Sequence, residues 1–280
     1  VRNDLTYISN SARNTFDIYQ PTSSSGPLAV VIWVHGGGYV GGDKSGMKEF
    51  ATYIADRNQV AVVSMNYELA PALKYPGQVW QVDDLISYLQ SNAALFPELD
   101  MTRVFFGGDS AGSQIAGQYV TLQTNDTYRQ SMGFPKRLEA AQILGYLSYC
   151  GPVDLQQSAQ AVTDNWMMKF FVKTVAWSLL GTKDWKNSNE LQQASLVNQV
   201  NSQFPSALIT DGNSYSFPDQ GIALANRLSD LGVSVDRLFF TDTTKVITHE
   251  YQFNFDTQEA LDCLDMSVAF IARQLNSVNP

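Results

Sequence analysis

The sequence predicts an α/β protein in which a mostly parallel, twisted sheet carries helices on both faces. Short continuous apolar runs such as Leu28–Val34 and Val60–Met65 are typical of strands that are buried on both sides. Segments with helical spacing alternate with such runs along most of the chain, and this order is the one that parallel sheets require. Of the 280 residues, 44% are hydrophobic and 16% are charged, so the chain can fill a sizeable core.

The elements follow in chain order from these patterns. An antiparallel hairpin opens the chain, and a Ser-rich surface loop, 21–27, separates it from the first buried strand. The predicted strands are Leu5–Ser9, Thr15–Tyr19, Leu28–Val34, Val60–Met65, Arg103–Phe106, Gln142–Tyr149, Ala207–Thr210 and Arg237–Phe240. The predicted helices are Met47–Arg57, Gly77–Leu95, Ala111–Gln123, Pro218–Leu231 and Thr257–Leu275.

One segment, Gln156–Phe204, interrupts the alternation because it contains no clear strand. We interpret it as a helical cap above the strand ends, inserted into a single domain that covers residues 1–280. Apolar residues at near-helical spacing form either the cap's own small core or, for one or two of them, the wall of an acyl pocket. These residues are Trp166, Met167, Phe170, Phe171, Val175 and Trp177.

Charge and cysteine content exclude several classes of protein. A net charge of −9 and a pI near 4.6 leave no surplus of Lys and Arg to neutralise nucleic-acid phosphates. Two cysteines, Cys150 and Cys263, are too few for a disulfide scaffold. No apolar stretch reaches the roughly 18 to 20 residues that span a bilayer. We favour a cytoplasmic protein, and secretion stays an alternative because the chain begins at Val1. The sequence makes no prediction of the oligomeric state.

The segment Gly108-Asp-Ser-Ala-Gly112 predicts a nucleophilic serine at Ser110. The G-x-S-x-G spacing follows a predicted strand and opens a predicted helix, which is the context of a nucleophile elbow. Side chains two positions before and after the serine would collide with neighbouring backbone at such a sharp turn. The turn exposes the serine hydroxyl at the carboxyl end of the sheet.

A glycine-rich segment, His35-Gly-Gly-Gly38, ends the strand Leu28–Val34. Three successive glycines allow backbone N–H groups to approach a ligand closely. The amides of Gly37 and Gly38, together with that of Ala111, form a candidate oxyanion hole for acyl transfer. A phosphate-binding loop is the competing interpretation, but the spacing fits neither G-x-G-x-x-G nor the Walker pattern.

Together with Tyr67-Glu-Leu-Ala-Pro71, these two motifs resemble the hormone-sensitive-lipase-like branch of bacterial carboxylesterases. The resemblance covers nearly the whole chain in the order of its elements. It implies an α/β-hydrolase fold and a carboxylesterase that acts on short acyl esters without a metal or organic cofactor. It also implies that His35 holds the glycine loop in place.

Only two histidines are present, so His249 is the remaining candidate for the base. It follows the predicted strand Arg237–Phe240 and precedes the last helix, where a hydrolase with this order of elements carries its histidine. A serine nucleophile needs an imidazole to accept its proton.

The third member of the triad departs from the family pattern. Counting from Pro205 through the strand Ala207–Thr210, the family's Asp position falls on Ser214, which cannot ionise. The Phe217-Pro218 pair supports this alignment, because an apolar residue and a proline follow the Asp in related hydrolases.

Three carboxylates could replace it. We rank Asp219 first, although Ser216-x-x-Asp219 also fits a helix capping box. Asp211 comes next, although it could instead bind turn amides, and Asp154 follows the preceding strand. A Ser–His dyad assisted by water is a further alternative, since the acid contributes less than the nucleophile or the base.

Three functions remain open at this point. A carboxylesterase fits all the motifs, with a small-molecule ester as the substrate. A non-catalytic binding protein on the same fold would explain the altered acid, but it has no use for an intact nucleophile, base and oxyanion loop. A peptidase or amidase would use the same groups but more often carries an additional propeller or large cap domain.

Overall fold

The computed structural model describes residues 1–24, 26–160 and 166–278. Eight strands form one sheet in the order β1-β2-β4-β3-β5-β6-β7-β8. Strand β2 is antiparallel to both of its neighbours, and every pair from β4–β3 to β7–β8 is parallel. The strands are β1 (Arg2–Thr6), β2 (Thr15–Tyr19), β3 (Leu28–Val34), β4 (Ala61–Met65), β5 (Leu99–Asp109), β6 (Ile143–Tyr149), β7 (Ala207–Asp211) and β8 (Val235–Phe239). The predicted mostly parallel sheet is confirmed.

Helices connect the parallel strands. They are α1 (Lys48–Asn58), α2 (Gly77–Ser91), α3 (Ala111–Thr124), α4 (Asp126–Ser131), α5 (Leu155–Gln160), α6 (Trp166–Leu180), α7 (Asn189–Gln193), α8 (Leu196–Gln199), α9 (Pro218–Asp230) and α10 (Gln258–Val278). Throughout the described ranges, no helix combines the length and the apolar character that crossing a bilayer demands.

The two faces of the sheet pack into two separate hydrophobic layers. Along β3 the side chains alternate, with Val30 and Ile32 in one layer and Val31 and Trp33 in the other. Helices α2, α3 and α9 cover the first layer, and α1 and α10 cover the second. The predicted placement of helices on both faces is therefore confirmed, and the ends of the central strands lie between the layers.

Two strands differ from their predicted bounds by more than two residues. The first strand is Arg2–Thr6 rather than Leu5–Ser9, because Tyr7 turns inward and donates its hydroxyl to the carbonyl of Asn66 at 2.7 Å. Strand β5 covers eleven residues, and the predicted Arg103–Phe106 is only its centre. The apolar pattern missed its first part because Asp100 and Arg103 form an ion pair there at 2.6 Å.

The segment 156–204 between β6 and β7, which we call the insertion, is helix, turn or loop wherever it is described. Of its predicted apolar residues, Val175 packs against the main core and Trp177 is exposed. The side chains of Trp166, Met167, Phe170 and Phe171 lie outside the described part of the chain. A small cluster of Ala159, Trp185 and Leu191 packs within the insertion.

Candidate active site

Ser110 lies at a sharp turn between β5 and α3. Its φ of +48° and ψ of −123° place it in a strained backbone conformation. A Cβ on Gly112 would overlap the carbonyl oxygen of Val34, and a Cβ on Gly108 would overlap the backbone of Gly112. The turn can form next to strand β3 only because positions 108 and 112 lack side chains. This is the steric reason for the G-x-S-x-G spacing that we predicted from the sequence. The turn is also held by the Ser110 amide, which donates to the carbonyl of Tyr149 at 2.8 Å.

The glycine-rich loop follows the end of β3, next to this turn. Gly37 and Gly38 have φ values of +108° and +60°, which favour glycine. In the described portions of the chain, the amides of Gly37, Gly38 and Ala111 donate to no protein acceptor. The Gly36 amide, by contrast, donates to Asp109 Oδ2 at 2.8 Å. Three backbone donors therefore remain available to a ligand.

His35 is buried beneath this loop. Its Nδ1–H donates to the carbonyl of Gly36 at 2.6 Å, and its ring stacks on Tyr67 with a centroid separation of 4.4 Å. Burial lowers the pKa of His35 to about 4, so the ring is neutral at ordinary pH. These contacts fit a residue that holds the loop.

His249 faces Ser110. Its Nε2 lies 2.9 Å from Ser110 Oγ, although the two residues are 139 positions apart. The segment that carries His249 is fixed from two sides. The carbonyl of Ile247 accepts the amides of Asn213 and Ser214, and the amide of Glu250 donates to Cys150 Sγ at 3.3 Å.

The imidazole of His249 is largely removed from water. Burial lowers its pKa to about 4, so the ring is neutral and able to accept a proton at neutral pH. The edge of the ring packs against Phe217 at a centroid separation of 5.6 Å. Such a ring is suited to act as a general base.

A hydroxyl, which the sequence did not identify as part of the site, connects this ring to a carboxylate. His249 Nδ1 lies 2.6 Å from Ser216 Oγ, and Ser216 Oγ donates to Asp211 Oδ1. Asp211 lies at the end of β7 and also accepts the amide of Phe217 at 3.1 Å. The order in space is therefore Ser110, His249, Ser216, Asp211.

The positions of the protons on Ser216 and His249 follow from the fact that an ionised carboxylate only accepts hydrogen bonds. An ionised Asp211 can only accept, so the single hydroxyl proton of Ser216 must point to it. Ser216 Oγ then accepts a hydrogen bond from His249 Nδ1–H, which leaves a lone pair on Nε2 towards Ser110. This tautomer is the one that can remove the serine proton.

The remaining candidates for the acid do not reach the ring. Asp219, which we ranked first from the sequence, is exposed in the first turn of α9. Asp154 accepts the amide of Gln157 and so caps α5. Ser214 donates to Asn213 Oδ1 at 2.9 Å rather than to His249. The geometry thus favours Asp211 over Asp219 as the acid, which reverses the ranking from the sequence. The reason is that the loop after β7 turns Ser216, and not Asp219, towards the imidazole.

One group of potential metal ligands is present among the described residues, namely Cys150, Asp211 and His249. Each of the three already has protein partners. Ser216 joins the carboxylate and the imidazole, and Gln252 Nε2 donates to Cys150 Sγ at 3.0 Å. Burial also raises the pKa of the Cys150 thiol well above its ordinary value, which disfavours the thiolate that a metal needs.

The part of the chain that carries Ser110 and the glycine loop matches a known protein family. The BD-FAE family matches residues 16–228, which is most of the chain and includes Ser110 and the glycine loop. The chain belongs to the BD-FAE family. The match ends before His249, so the family comparison by itself does not cover the base.

Curated relatives of this BD-FAE member include two proteins that match most of its length. A putative alpha/beta hydrolase, R526, from Acanthamoeba polyphaga mimivirus is 28% identical over 220 residues, or 77% of this chain. The isoprenylcysteine alpha-carbonyl methylesterase ICME from Arabidopsis thaliana is 24% identical over 250 residues, or 87% of this chain. The matched parts cover 60% and 56% of those two proteins, so the chain spans less than two thirds of the length of either relative.

Solved structures show the same fold. Esterase B from Lactobacillus rhamnosis matches with a TM-score of 0.78 and 20% identity, over 99% of this chain and 87% of its own. A bacterial heroin esterase matches with a TM-score of 0.76 and 20% identity, over 97% of this chain and 83% of its own. The BD-FAE chain therefore has the α/β-hydrolase fold, as the resemblance in the sequence implied.

Proposed function

We propose that this chain is a carboxylic ester hydrolase that works through an acyl-enzyme on Ser110. The observation that carries the proposal is the 2.9 Å contact between His249 Nε2 and Ser110 Oγ, made at a turn whose φ is +48°. A strained backbone at a serine in contact with a neutral imidazole has a clear chemical use and no evident structural one.

The reaction follows from the arrangement. Ser110 Oγ attacks the ester carbonyl while His249 Nε2 takes the hydroxyl proton. The carbonyl oxygen becomes an oxyanion that the amides of Gly37, Gly38 and Ala111 are available to bind. The imidazolium then protonates the leaving alkoxide, and a water molecule, deprotonated by the same ring, releases the acid from Ser110.

Asp211 supports the base through Ser216 in this proposal. When His249 becomes an imidazolium, its Nδ1–H strengthens the hydrogen bond to Ser216 Oγ, and the Ser216 proton moves closer to Asp211. The carboxylate stays ionised and stabilises the ring's charge across one intervening hydroxyl. Burial of Asp211 keeps this interaction out of bulk water, where it would be weaker.

Short acyl or acetyl esters are the substrate class that we propose. The resemblance in the motifs implies short acyl groups, and the similar proteins include an esterase B, a heroin esterase and a methylesterase.

Hydrolysis of p-nitrophenyl esters of increasing acyl length tests the proposal. The wild-type chain should be most active on the shortest esters, and Ser110→Ala should lose activity by about 10⁴-fold or more. Ser131→Ala, which removes a hydroxyl from an exposed position on α4, is the matched control and should keep full activity.

A fluorophosphonate probe separates the competing functions. Stoichiometric labelling of wild type, absent in Ser110→Ala, is expected for a serine hydrolase. Labelling together with hydrolysis of anilides but not of esters would indicate an amidase. A chain that reacts with neither the probe nor any ester would instead be a binding protein.

A further inference from the structure

Two carboxyl groups, which the proposed reaction does not use, directly flank its nucleophile and its base. Asp109 precedes Ser110, and Glu250 follows His249. Asp109 is only 3% exposed, and each of its oxygens accepts an N–H group. Oδ1 accepts from Trp33 Nε1 at 2.9 Å, and Oδ2 accepts from the Gly36 amide at 2.8 Å. Asp109 therefore ties the turn at the nucleophile to the start of the oxyanion loop.

Glu250 reaches the same place from the opposite side. Its φ of +59° turns its side chain back towards the site, where Oε1 lies 3.9 Å from His249 Nε2. A Cβ on Gly36 would overlap Asp109 Oδ2 and lie 2.8 Å from Glu250 Oε1. The two carboxyl groups therefore face the same side of one glycine, with an oxygen of each within 2.8 Å of a single point.

Two ionised carboxylates cannot hydrogen-bond to each other, because both only accept. We propose that Asp109 and Glu250 share one proton, and that this proton joins the oxyanion loop to the segment that carries His249. Two N–H groups donate to Asp109 and stabilise its ionised form, so we assign the proton to Glu250 as the donor. Glu250 is thus a positioning residue for the reaction proposed above, on which this inference rests.

The surroundings favour a single negative charge on the pair. His249 is the only ion-pair partner of either carboxyl in the described part of the chain, and it is neutral at ordinary pH. The buried phenol of Tyr67 is the other titratable group that faces the pair, and it too is uncharged. Burial raises the pKa of both carboxyls, that of Asp109 to about 7, which favours retention of a proton by the pair.

Loss of the shared proton has two consequences for catalysis. The two carboxylates would repel each other, which would pull the oxyanion loop away from the segment that carries His249. A second full charge would also stand beside the loop whose amides bind the developing oxyanion, where it opposes the transition state. Activity should therefore fall as the pH rises past the point where the pair loses its proton.

Glu250→Gln tests this inference, because an amide can donate to Asp109 at any pH. In wild type, kcat should decline above about pH 7 and then by about tenfold per pH unit, with little change in KM. In Glu250→Gln, kcat should stay at its neutral-pH value up to a pH at least one unit higher than in wild type. Glu139→Gln, which removes an exposed carboxylate, should follow the wild-type profile. Identical profiles for wild type and Glu250→Gln would overturn the inference.

A measurement without turnover separates this inference from the proposed function. Because buried Asp211 also titrates near pH 6, the measurement uses a Ser110→Ala/Asp211→Asn background. In that background, infrared difference spectra between pH 6 and pH 9 should show the C=O stretch of a protonated carboxyl that disappears at high pH, and the band should be missing when Glu250→Gln is added. A missing band in the background itself refutes the shared proton, whether or not the wild-type chain hydrolyses esters.

Discussion

The hydroxyl of Ser216 lies between an imidazole nitrogen and a carboxylate, and it has one proton to give. The ionised carboxylate of Asp211 accepts a hydrogen bond from that hydroxyl, so the oxygen of Ser216 can only accept from His249 Nδ1. The orientation of one hydroxyl thereby selects the tautomer of His249. The side chain acts by hydrogen bonding alone, and it needs no charge of its own.

Removing either part of this connection should slow the reaction. We expect Ser216→Ala and Asp211→Asn each to lower kcat by about 10²- to 10⁴-fold with little change in KM, since the loss of a triad acid falls in this range. Asp219→Asn should stay within about twofold of wild type, because its side chain is exposed and away from the ring. Steady-state kinetics on a p-nitrophenyl ester, with circular dichroism as a check on folding, measures all three. A larger loss in Asp219→Asn than in Asp211→Asn would restore our original order of candidates.

The acid side of the pH profile should report Asp211 rather than His249. Burial raises the pKa of Asp211 to about 6 and lowers that of His249 to about 4. As the pH falls through 6, Asp211 takes up a proton and can donate to Ser216, which reverses the hydrogen bonds and puts a proton on Nε2. We therefore expect kcat/KM to fall below about pH 6 in wild type.

Asp211→Asn removes that titration and serves as the comparison. Its kcat/KM should be low but flat from pH 7 down to about pH 5, and it should fall only near the pKa of His249. A variant that kept the fall at pH 6 would assign the titration to another group.

At the scale of elements, the site depends on the ends of central strands and on glycines in the loops that follow. Gly37 has a φ of +108°, and a Cβ there would overlap the carbonyl of Gly41. An alanine could be accommodated only if the oxyanion loop moved. The neighbouring amides would then leave their positions.

We expect Gly37→Ala to lower kcat by about 10²- to 10³-fold, which is the usual effect of losing one oxyanion donor. Gly46→Ala is the matched control, because a Cβ at Gly46 meets nothing within 4 Å. The pair is compared by kcat and by the rate of fluorophosphonate labelling. Equal activity of the two variants would mean that the amides of this loop do not bind the oxyanion.

The sequence predicted the elements well where one physical rule dominated. Strands buried on both faces, such as β3, gave unbroken apolar runs, and the glycines around Ser110 marked the turn. The edge strand β1 was misplaced because an edge carries polar residues, here Arg2, Asn3 and Asp4, that hide the alternation. Spacing along the chain could not identify Ser216, because its role depends on how the loop after β7 folds against the segment of His249.

At the scale of the whole molecule, the buried side chain of Lys44 forms ion pairs with both strands of the N-terminal antiparallel hairpin. Lys44 Nζ donates to Asp17 Oδ1 and to Asp4 Oδ1, each at 2.7 Å. The side chains of Lys44 and Asp17 are only 5% and 4% exposed. Lys44 follows the oxyanion loop in the chain, so this ion pair also anchors the far end of that loop.

Lys44→Met should destabilise the protein by about 3 to 5 kcal/mol, because it leaves the Asp17 carboxylate buried without a cation. Arg57→Met is the comparison, since Arg57 and Asp265 are 40% and 66% exposed, and such pairs contribute about 0 to 1 kcal/mol. Urea unfolding of the two variants measures the difference. Equal free energies of unfolding would show that Asp17 finds water or another donor when the lysine is lost.

A hydroxyl placed between a histidine and a carboxylate lets the two interact although they are one side chain too far apart for direct contact. In the site that we propose, the carboxylate is Asp211, and Ser214 stands at the position where the family pattern led us to expect the acid. Chains that look inactive because an expected aspartate has been replaced therefore warrant inspection for a serine or threonine near the histidine before they are set aside as pseudoenzymes.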